Sequence, residues 1–131
     1  MYTWYAVTDS RNICPTGWHL PTDNEWVILT TFLGGESIAG GKLKETGTAH
    51  WYSTDSNVTN ESGFTALPAG SSFFNQNAFA GISFNGWWWS STPDDSNLNN
   101  AWILYVGNSE INLNNGCWKK KNGYSVRCIK N

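Results

Sequence analysis

Residues able to do chemistry are scarce in this chain. It has two histidines, His19 and His50, and three cysteines, Cys14, Cys117 and Cys128. His19 sits just ahead of a helix start and reads as a structural hydrogen-bonder; His50, beside Trp51, reads as a loop residue. No Cys/His spacing matches a zinc site. Pro93-Asp94-Asp95 puts two carboxylates in one loop, which leaves room for an incidental calcium site. The basic run Lys119-Lys120-Lys121 is short and reads as a solvated turn rather than a phosphate site. No catalytic constellation emerges, so the chain reads as a non-enzyme with no cofactor.

The cysteines are odd in number. Cys14 and Cys128 lie near the two ends and leave Cys117 over. A Cys14–Cys128 bridge would close nearly the whole chain, worth about 4–5 kcal/mol in the loop-entropy model, and would need an oxidising compartment. Three free, mostly buried thiols are the alternative, and the residues alone leave both open.

Recognition fits the composition better than catalysis does. Nine Trp stand among many Asn, Ser, Thr and Gly, with only 14% charged residues. Paratopes use this mixture: aromatics give contact area at low entropy cost and small polar side chains give hydrogen bonds. The formal net charge of −2 speaks against nucleic acid. No stretch approaches the ~18 apolar residues of a membrane span. At 131 residues the chain is expected to be a single domain, 1–131. Met1 runs straight into Tyr2-Thr3-Trp4-Tyr5, so it is expected to be the C-terminal domain of a longer protein.

The clearest local structure is around Leu20-Pro21-Thr22-Asp23-Asn24-Glu25-Trp26. Pro21 turns the chain, and Thr22 and Glu25 stand in capping-box spacing. A helix follows from about Asp23 to Leu33. Trp26, Leu29 and Leu33 share its buried face, flanked by Ile28 and Phe32, and Gly34-Gly35 ends it. Ser37 to Lys44 is expected to form a second helix, weakened by Gly40-Gly41.

Tyr2 to Val7 reads as a first strand, and Ile13 to Gly17 as a short extended piece. Phe64, Ala66 and Leu67 are expected to point inward before the turn at Pro68-Ala69-Gly70. Ser71 to Asn85 reads as loop or weak strand, and Gly86 to Thr92 as a strand. In Ala101–Gly107, Trp102, Leu104 and Val106 fall on one face, with Ile103 and Tyr105 on the other. Asn108-Ser109 reads as a hairpin turn, Asn115-Gly116 as another, and Tyr124 to Ile129 as the closing strand. Two N-terminal helices, short antiparallel sheets and a loop-rich C-terminal half make an α+β chain.

Several blocks, in order along the chain, resemble the Fibrobacter succinogenes major paralogous domain. They are Ile13-Cys14-Pro15-Thr16-Gly17-Trp18-His19-Leu20-Pro21-Thr22-Asp23 with Glu25-Trp26, Ala39 to Glu45, Asn60 to Pro68, Trp88 to Thr92, and Gly123 to Cys128. The first block is also similar to formylglycine-generating enzymes. The resemblance implies a C-type-lectin-like fold with its terminal strands together, which favours the Cys14–Cys128 bridge. It also implies a secreted or surface protein. It does not carry over copper chemistry, because the close cysteine pair of the formylglycine enzymes is missing. Nor does it imply calcium-dependent sugar binding, because the Glu-Pro-Asn or Gln-Pro-Asp tripeptide is missing.

The end of the chain is similar to the variable region of proteins diversified by retroelements, in which Asn codons of a template become many residues. Asn97, Asn99, Asn100, Asn108, Asn112, Asn114 and Asn115 would then be unchanged positions. An ordinary family member with a few exposed apolar residues is the other reading. Either way, the expected recognition surface comprises Asn97, Asn99, Ile103, Tyr105, Glu110, Asn112, Asn114, Cys117 and Trp118, with Tyr105 and Trp118 as aromatic anchors. The expected partner is a protein or glycan on a target cell surface, met at a cell surface or on a phage tail-fibre tip, where a trimer would be expected. The alternative is a structural or adhesive module of a bacterial cell envelope.

Overall fold

The computed structural model describes residues 1–75, 78–108 and 113–131, without the side chains of Leu113 and Asn114. In chain order the elements are α1 (Trp4–Val7), β1 (Trp18–His19), α2 (Asp23–Phe32), α3 (Glu36–Leu43), β2 (Ser71–Phe73), β3 (Ala78–Ala80), β4 (Asn85–Pro93), β5 (Asn100–Gly107), β6 (Leu113–Lys119) and β7 (Ile129–Lys130). Among the described residues the strands form three antiparallel sheets: β1–β7, β2–β3 and the central β4–β5–β6. The chain is thus mixed α and β with small antiparallel sheets.

Helix α2 forms where local signals agree. Thr22 Oγ1 accepts from the Glu25 N–H at 3.2 Å, and Glu25 Oε2 accepts from the Thr22 N–H at 2.8 Å, closing the capping box. At the other end the Gly35 N–H donates to Thr30 O and the Gly34 N–H to Thr31 O. Both glycines have positive φ, +100° and +96°, the backbone this helix stop requires. Trp26 and Leu33 are buried and Leu29 is half-buried, but Ile28 and Phe32 are exposed, Phe32 at 85%. In α3, Gly40 and Gly41 are buried; the Gly41 carbonyl accepts from the Thr59 N–H at 3.0 Å, so the second helix uses small residues where the chain crosses closely.

The central sheet is covered on both faces. On one, Trp88, Leu104 and Val106 pack with Trp26, Leu43 and Trp51. On the other, Trp87, Trp89, Ala101 and Ile103 pack with Val7, Leu20 and Tyr124. The second cover comes from the two ends of the chain. They are joined by the Cys14–Cys128 disulfide, with Cα atoms 5.8 Å apart, by β1–β7 and by a Tyr2–Tyr124 bridge.

Several expectations are corrected here. Tyr2 to Val7 is not a strand. Tyr2 makes a single bridge, and Trp4–Val7 is one helical turn that sends Trp4 and Val7 into the second cluster. There the Trp4 indole donates to Ser90 O at 3.0 Å. Ile103 is 1% exposed, because the terminal segments cover the face that alternation marks as outward. Trp102, expected in the core with Leu104, is half-buried. Asn115-Gly116 is no turn: it lies inside β6, opposite Leu104 and Ile103. The closing strand is only Ile129–Lys130; Tyr124 and Ser125 make isolated bridges. Leu67 is exposed and Phe64 half-buried, while Ala66 is buried as expected. The Asn108-Ser109 turn falls partly outside the described residues.

Candidate ligand-binding groove

The loop between β4 and β5 is held by its own polar residues. The Asp94 N–H donates to Asn100 O at 3.1 Å and the Asn100 N–H to Asn97 O at 2.8 Å. Asp94 Oδ1 accepts from the Ser96 N–H and hydroxyl at 2.9 and 2.6 Å, and Asn97 Oδ1 accepts from the Asn99 N–H at 3.1 Å. Such side-chain turns order a loop without secondary structure. Lys120 staples the loop to the sheet. It is 7% exposed, and its ammonium donates to Leu98 O at 2.9 Å and lies 4.2 Å from the Trp4 ring centre. Its N–H donates to Asn99 O, and its carbonyl accepts from the Trp4 N–H. The middle residue of the basic run is therefore structural, not solvated.

Lys119 and Lys121 turn the other way. Together with Asn97, Asn99 and Asn100 of the loop and with Tyr5, Phe74 and Asn75, they line a groove of about 310 Å³. Phe74 is placed by its N–H, which donates to Asn122 Oδ1 at 3.4 Å, and Lys121 Nζ lies 4.9 Å from its ring centre. Through Asn75 and Lys119 the groove adjoins a hollow of about 190 Å³, lined also by Phe73, Trp118 and Asn122. Trp118, 40% exposed, stands edge-on to Trp87 with centroids 5.2 Å apart. Trp87 stacks in turn on Tyr124, at 5.3 Å and 13°. The exposed indole is thus backed by a rigid aromatic column.

The structure brings Asn97, Asn99 and Trp118 to these adjoining hollows. Tyr105 belongs to the same aromatic column through Trp87, at 4.3 Å, and its hydroxyl donates to Asn85 Oδ1 at 2.9 Å; it is half-buried and lines neither hollow. Ile103 is buried beneath. Cys117 is half-buried and lines neither hollow. Its thiol hydrogen-bonds the Asp94 carboxylate, and burial first, then the Asp94 charge, pushes it up to about 11. That thiol stays protonated and unreactive. Glu110 and Asn112 lie outside the described residues. Asn114 is opposite Tyr105 in β6, and its side chain lies outside them too.

Sequence reasoning missed Tyr5, Phe74, Asn75, Lys119 and Lys121. The first three arrive from distant parts of the chain, and nothing local marks them. Strand alternation does not mark the outer lysines either, because carried on from the exposed Trp118 it would turn Lys120 outward, the residue the fold buries.

Outside the groove, His19, Glu25 and Asp94 are held by hydrogen bonds within the fold. His19 Nε2 lies 2.9 Å from Glu25 Oε1 and Nδ1 lies 2.6 Å from Asn131 Oδ1, joining the start of α2 to the C-terminus. The Asn131 contact, then Glu25, raises the imidazole above its ordinary value. Burial works against the Glu25 carboxylate, but the Thr22 N–H and His19 hold it below its usual range. The Ser96 hydroxyl and then N–H groups of the same turn hold Asp94 low. Its oxygens are thus engaged by Ser96 and Cys117 rather than open to a cation. Among the described residues no group of three or more His, Cys, Asp and Glu is placed to hold a metal, and no helix is long and apolar enough to cross a membrane.

The model of the Fibrobacter succinogenes major domain matches residues 1–130. The chain belongs to this family. No curated protein and no solved structure matches it. The blocks that carry the family resemblance build the frame of this Fibrobacter succinogenes major domain. They supply the α2 start and the disulfide, α3 with Lys44, the crossing at Ala66, and β4. The groove residues of the domain, from Tyr5 to Lys121, all fall outside those blocks.

Proposed function

We propose that this domain is a non-enzymatic ligand-binding module whose recognition surface lies in the C-terminal half. One observation carries the reading: Asn97, Asn99 and Trp118 meet at adjoining hollows, supported by a stapled loop and an aromatic column. Concave sites with aromatic walls and a few placed polar groups are the usual form of ligand sites. Clasped terminal strands, two helices and a loop-rich second half support assignment to the C-type-lectin-like fold. The disulfide supports an extracellular or surface setting, on a cell or at a tail-fibre tip. The partner is a protein or glycan of a target cell.

Arrays of surface glycans and proteins test this with the purified chain. A hit that is lost in both Asn97→Ala and Trp118→Ala supports the reading; a hit indifferent to both removes the groove from it. Diversification by a retroelement is tested on the gene. A nearby near-copy of the segment encoding about Trp87 to Cys128, differing at adenines and beside a reverse transcriptase, supports it. Absence of such a copy leaves an undiversified family member.

The second reading, a structural or adhesive envelope module, draws on α2. Its exposed Ile28 and Phe32 line an apolar hollow of about 490 Å³ with Pro21, Leu29 and Ile129. On that reading Phe32→Ser releases the protein from isolated envelope material and Trp118→Ala does not.

A further inference from the structure

We infer that the groove accepts an anionic saccharide, with a carboxylate held by Lys119 and Lys121, its ring against the aromatic wall of Tyr5 and Phe74, and its hydroxyls on the asparagine amides. The inference rests on reading the groove as the ligand site and adds the chemistry of the ligand.

Charge comes first. The chain carries a formal net charge of −2, yet among the described residues the charged side chains lining the groove are Lys119 and Lys121. The other lysines of this region and of α3 are engaged elsewhere. Lys120 is turned inward on Leu98 O, Lys42 pairs with Glu61 at 2.9 Å, and Lys44 is buried on Gly107 O and Asn108 O. Neither groove lysine forms an ion pair among the described residues, and Lys121 Nζ lies 4.9 Å from the Phe74 ring centre. Two ammonium groups at one concave site favour an anion there, and an ammonium is a compact point charge suited to a single carboxylate.

The remaining lining selects the kind of anion. Asn75, Asn97 and Asn99 bring amide donors and acceptors, with Asn97 Oδ1 already accepting from the Asn99 N–H, and such amides complement hydroxyl groups that also do both. Phe74 is exposed beside them, and the negative face of an aromatic ring suits the weakly positive C–H face of a sugar. Nucleic acid would need a broader positive footprint. A protein partner would need roughly 800 Å² of matched surface, whereas a hollow of about 310 Å³ lies at the small-ligand end of the usual range. The stapled loop means little ordering cost on binding.

Titration calorimetry at low and high salt tests this with short oligosaccharides of galacturonate, glucuronate and N-acetylneuraminate, and with their carboxyl-reduced counterparts. At least one acidic oligosaccharide is expected to bind, more weakly at high salt, with its reduced counterpart about tenfold weaker or worse. Lys119→Gln with Lys121→Gln is expected to abolish that preference, and Lys119→Arg with Lys121→Arg to retain it. Equal binding of acidic and reduced forms, both weakened by Asn97→Ala, overturns the anionic inference and leaves the groove as the site. Acidic binding untouched by the lysine and Asn97 variants overturns both. No binding by any member of the panel at millimolar concentration, or lysine-dependent capture of an acidic protein instead, overturns the saccharide.

Discussion

The two faces of the central sheet are closed by different means. The Trp88–Leu104–Val106 face is covered by α2, α3 and Trp51, all from one stretch of chain before β2. The Trp87–Trp89–Ile103 face is covered by the two chain ends, brought together across 114 residues of separation by the disulfide. The first face takes its cover from one contiguous stretch, packed onto β4 and β5. The second closes only when the most distant segments meet, and it is this face whose aromatic column runs out to Trp118. Its edge-on indoles, with Trp87 stacked on Tyr124, keep the exposed edge stiff, which is what a preformed ligand site needs.

The largest expected effect comes from cutting the clasp of the second face. Cys14→Ser with Cys128→Ser removes the cross-link and is expected to cost about 2–5 kcal/mol, as removal of a native bridge commonly does. The midpoint of urea unfolding reads this directly. If the faces differ as argued, quenching of the Trp118 column should change in the unfolding baseline while hydrogen-exchange protection in α2 and α3 persists. Equal loss of protection across both faces would mean that they close as one unit.

A second substitution strikes the first face alone. Lys44 is fully buried, donates to Gly107 O and Asn108 O at 3.0 and 2.6 Å, and lies 4.4 Å from the Trp51 ring centre. Lys44→Met keeps the stem and strands those carbonyls, a loss of about 1–3 kcal/mol. Thermal unfolding should show it, with groove affinity unchanged. A parallel loss of ligand would show that the end of β5 also sets the groove.

Much of the first face was legible in the sequence, and the reason is locality. The capping box, the Gly34-Gly35 stop and the apolar spacing of Trp26, Leu29 and Leu33 all sit in one contiguous stretch. Alternation likewise marked β5. It could not say that both sides of β5 are covered, so Ile103 was expected at the surface when the chain ends bury it. Trp4–Val7 was misread as a strand because tertiary burial of Trp4 and Val7, not local pattern, selects the helical turn. The groove was half legible. Asn97, Asn99 and Trp118 stood out by type, but Tyr5 and Phe74 reach it from far along the chain. The basic run hid an inward lysine between two outward ones.

Trp118 and Tyr105 sharpen the comparison further, because the sequence made them equal anchors and the fold does not. Trp118→Ala removes an indole that is 40% exposed at the column's edge. Stability should fall by roughly 1 kcal/mol, the scale of one aromatic pair, while ligand binding weakens about tenfold or more. Tyr105→Ala removes a half-buried ring packed on Trp87 and its bond to Asn85. It should cost about 2 kcal/mol or more and affect binding through the displaced Trp87. Comparing melting temperatures with ligand affinities for the two variants separates an anchor from its support. Equal stability losses would return them to equal standing.

The smallest effect concerns the clasp from its polar side. His19 joins Glu25 at the start of α2 to Asn131, and its imidazole is raised above the ordinary 6.5 by Asn131 first and then Glu25. A raised value means that the folded protein binds the proton more tightly than the unfolded chain does. The contribution is therefore complete below the ordinary value and fades as pH rises through the raised one. Because the ring is solvent-exposed, the change is modest and screened by salt. His19→Gln should flatten the stability profile between slightly acid and slightly alkaline pH and leave the protein near wild-type at the alkaline end. NMR titration of the His19 ring protons would give the raised midpoint independently. A midpoint at or below the ordinary value, with an unchanged pH profile in His19→Gln, would mean that β1–β7 and the disulfide hold the clasp without help from this charge.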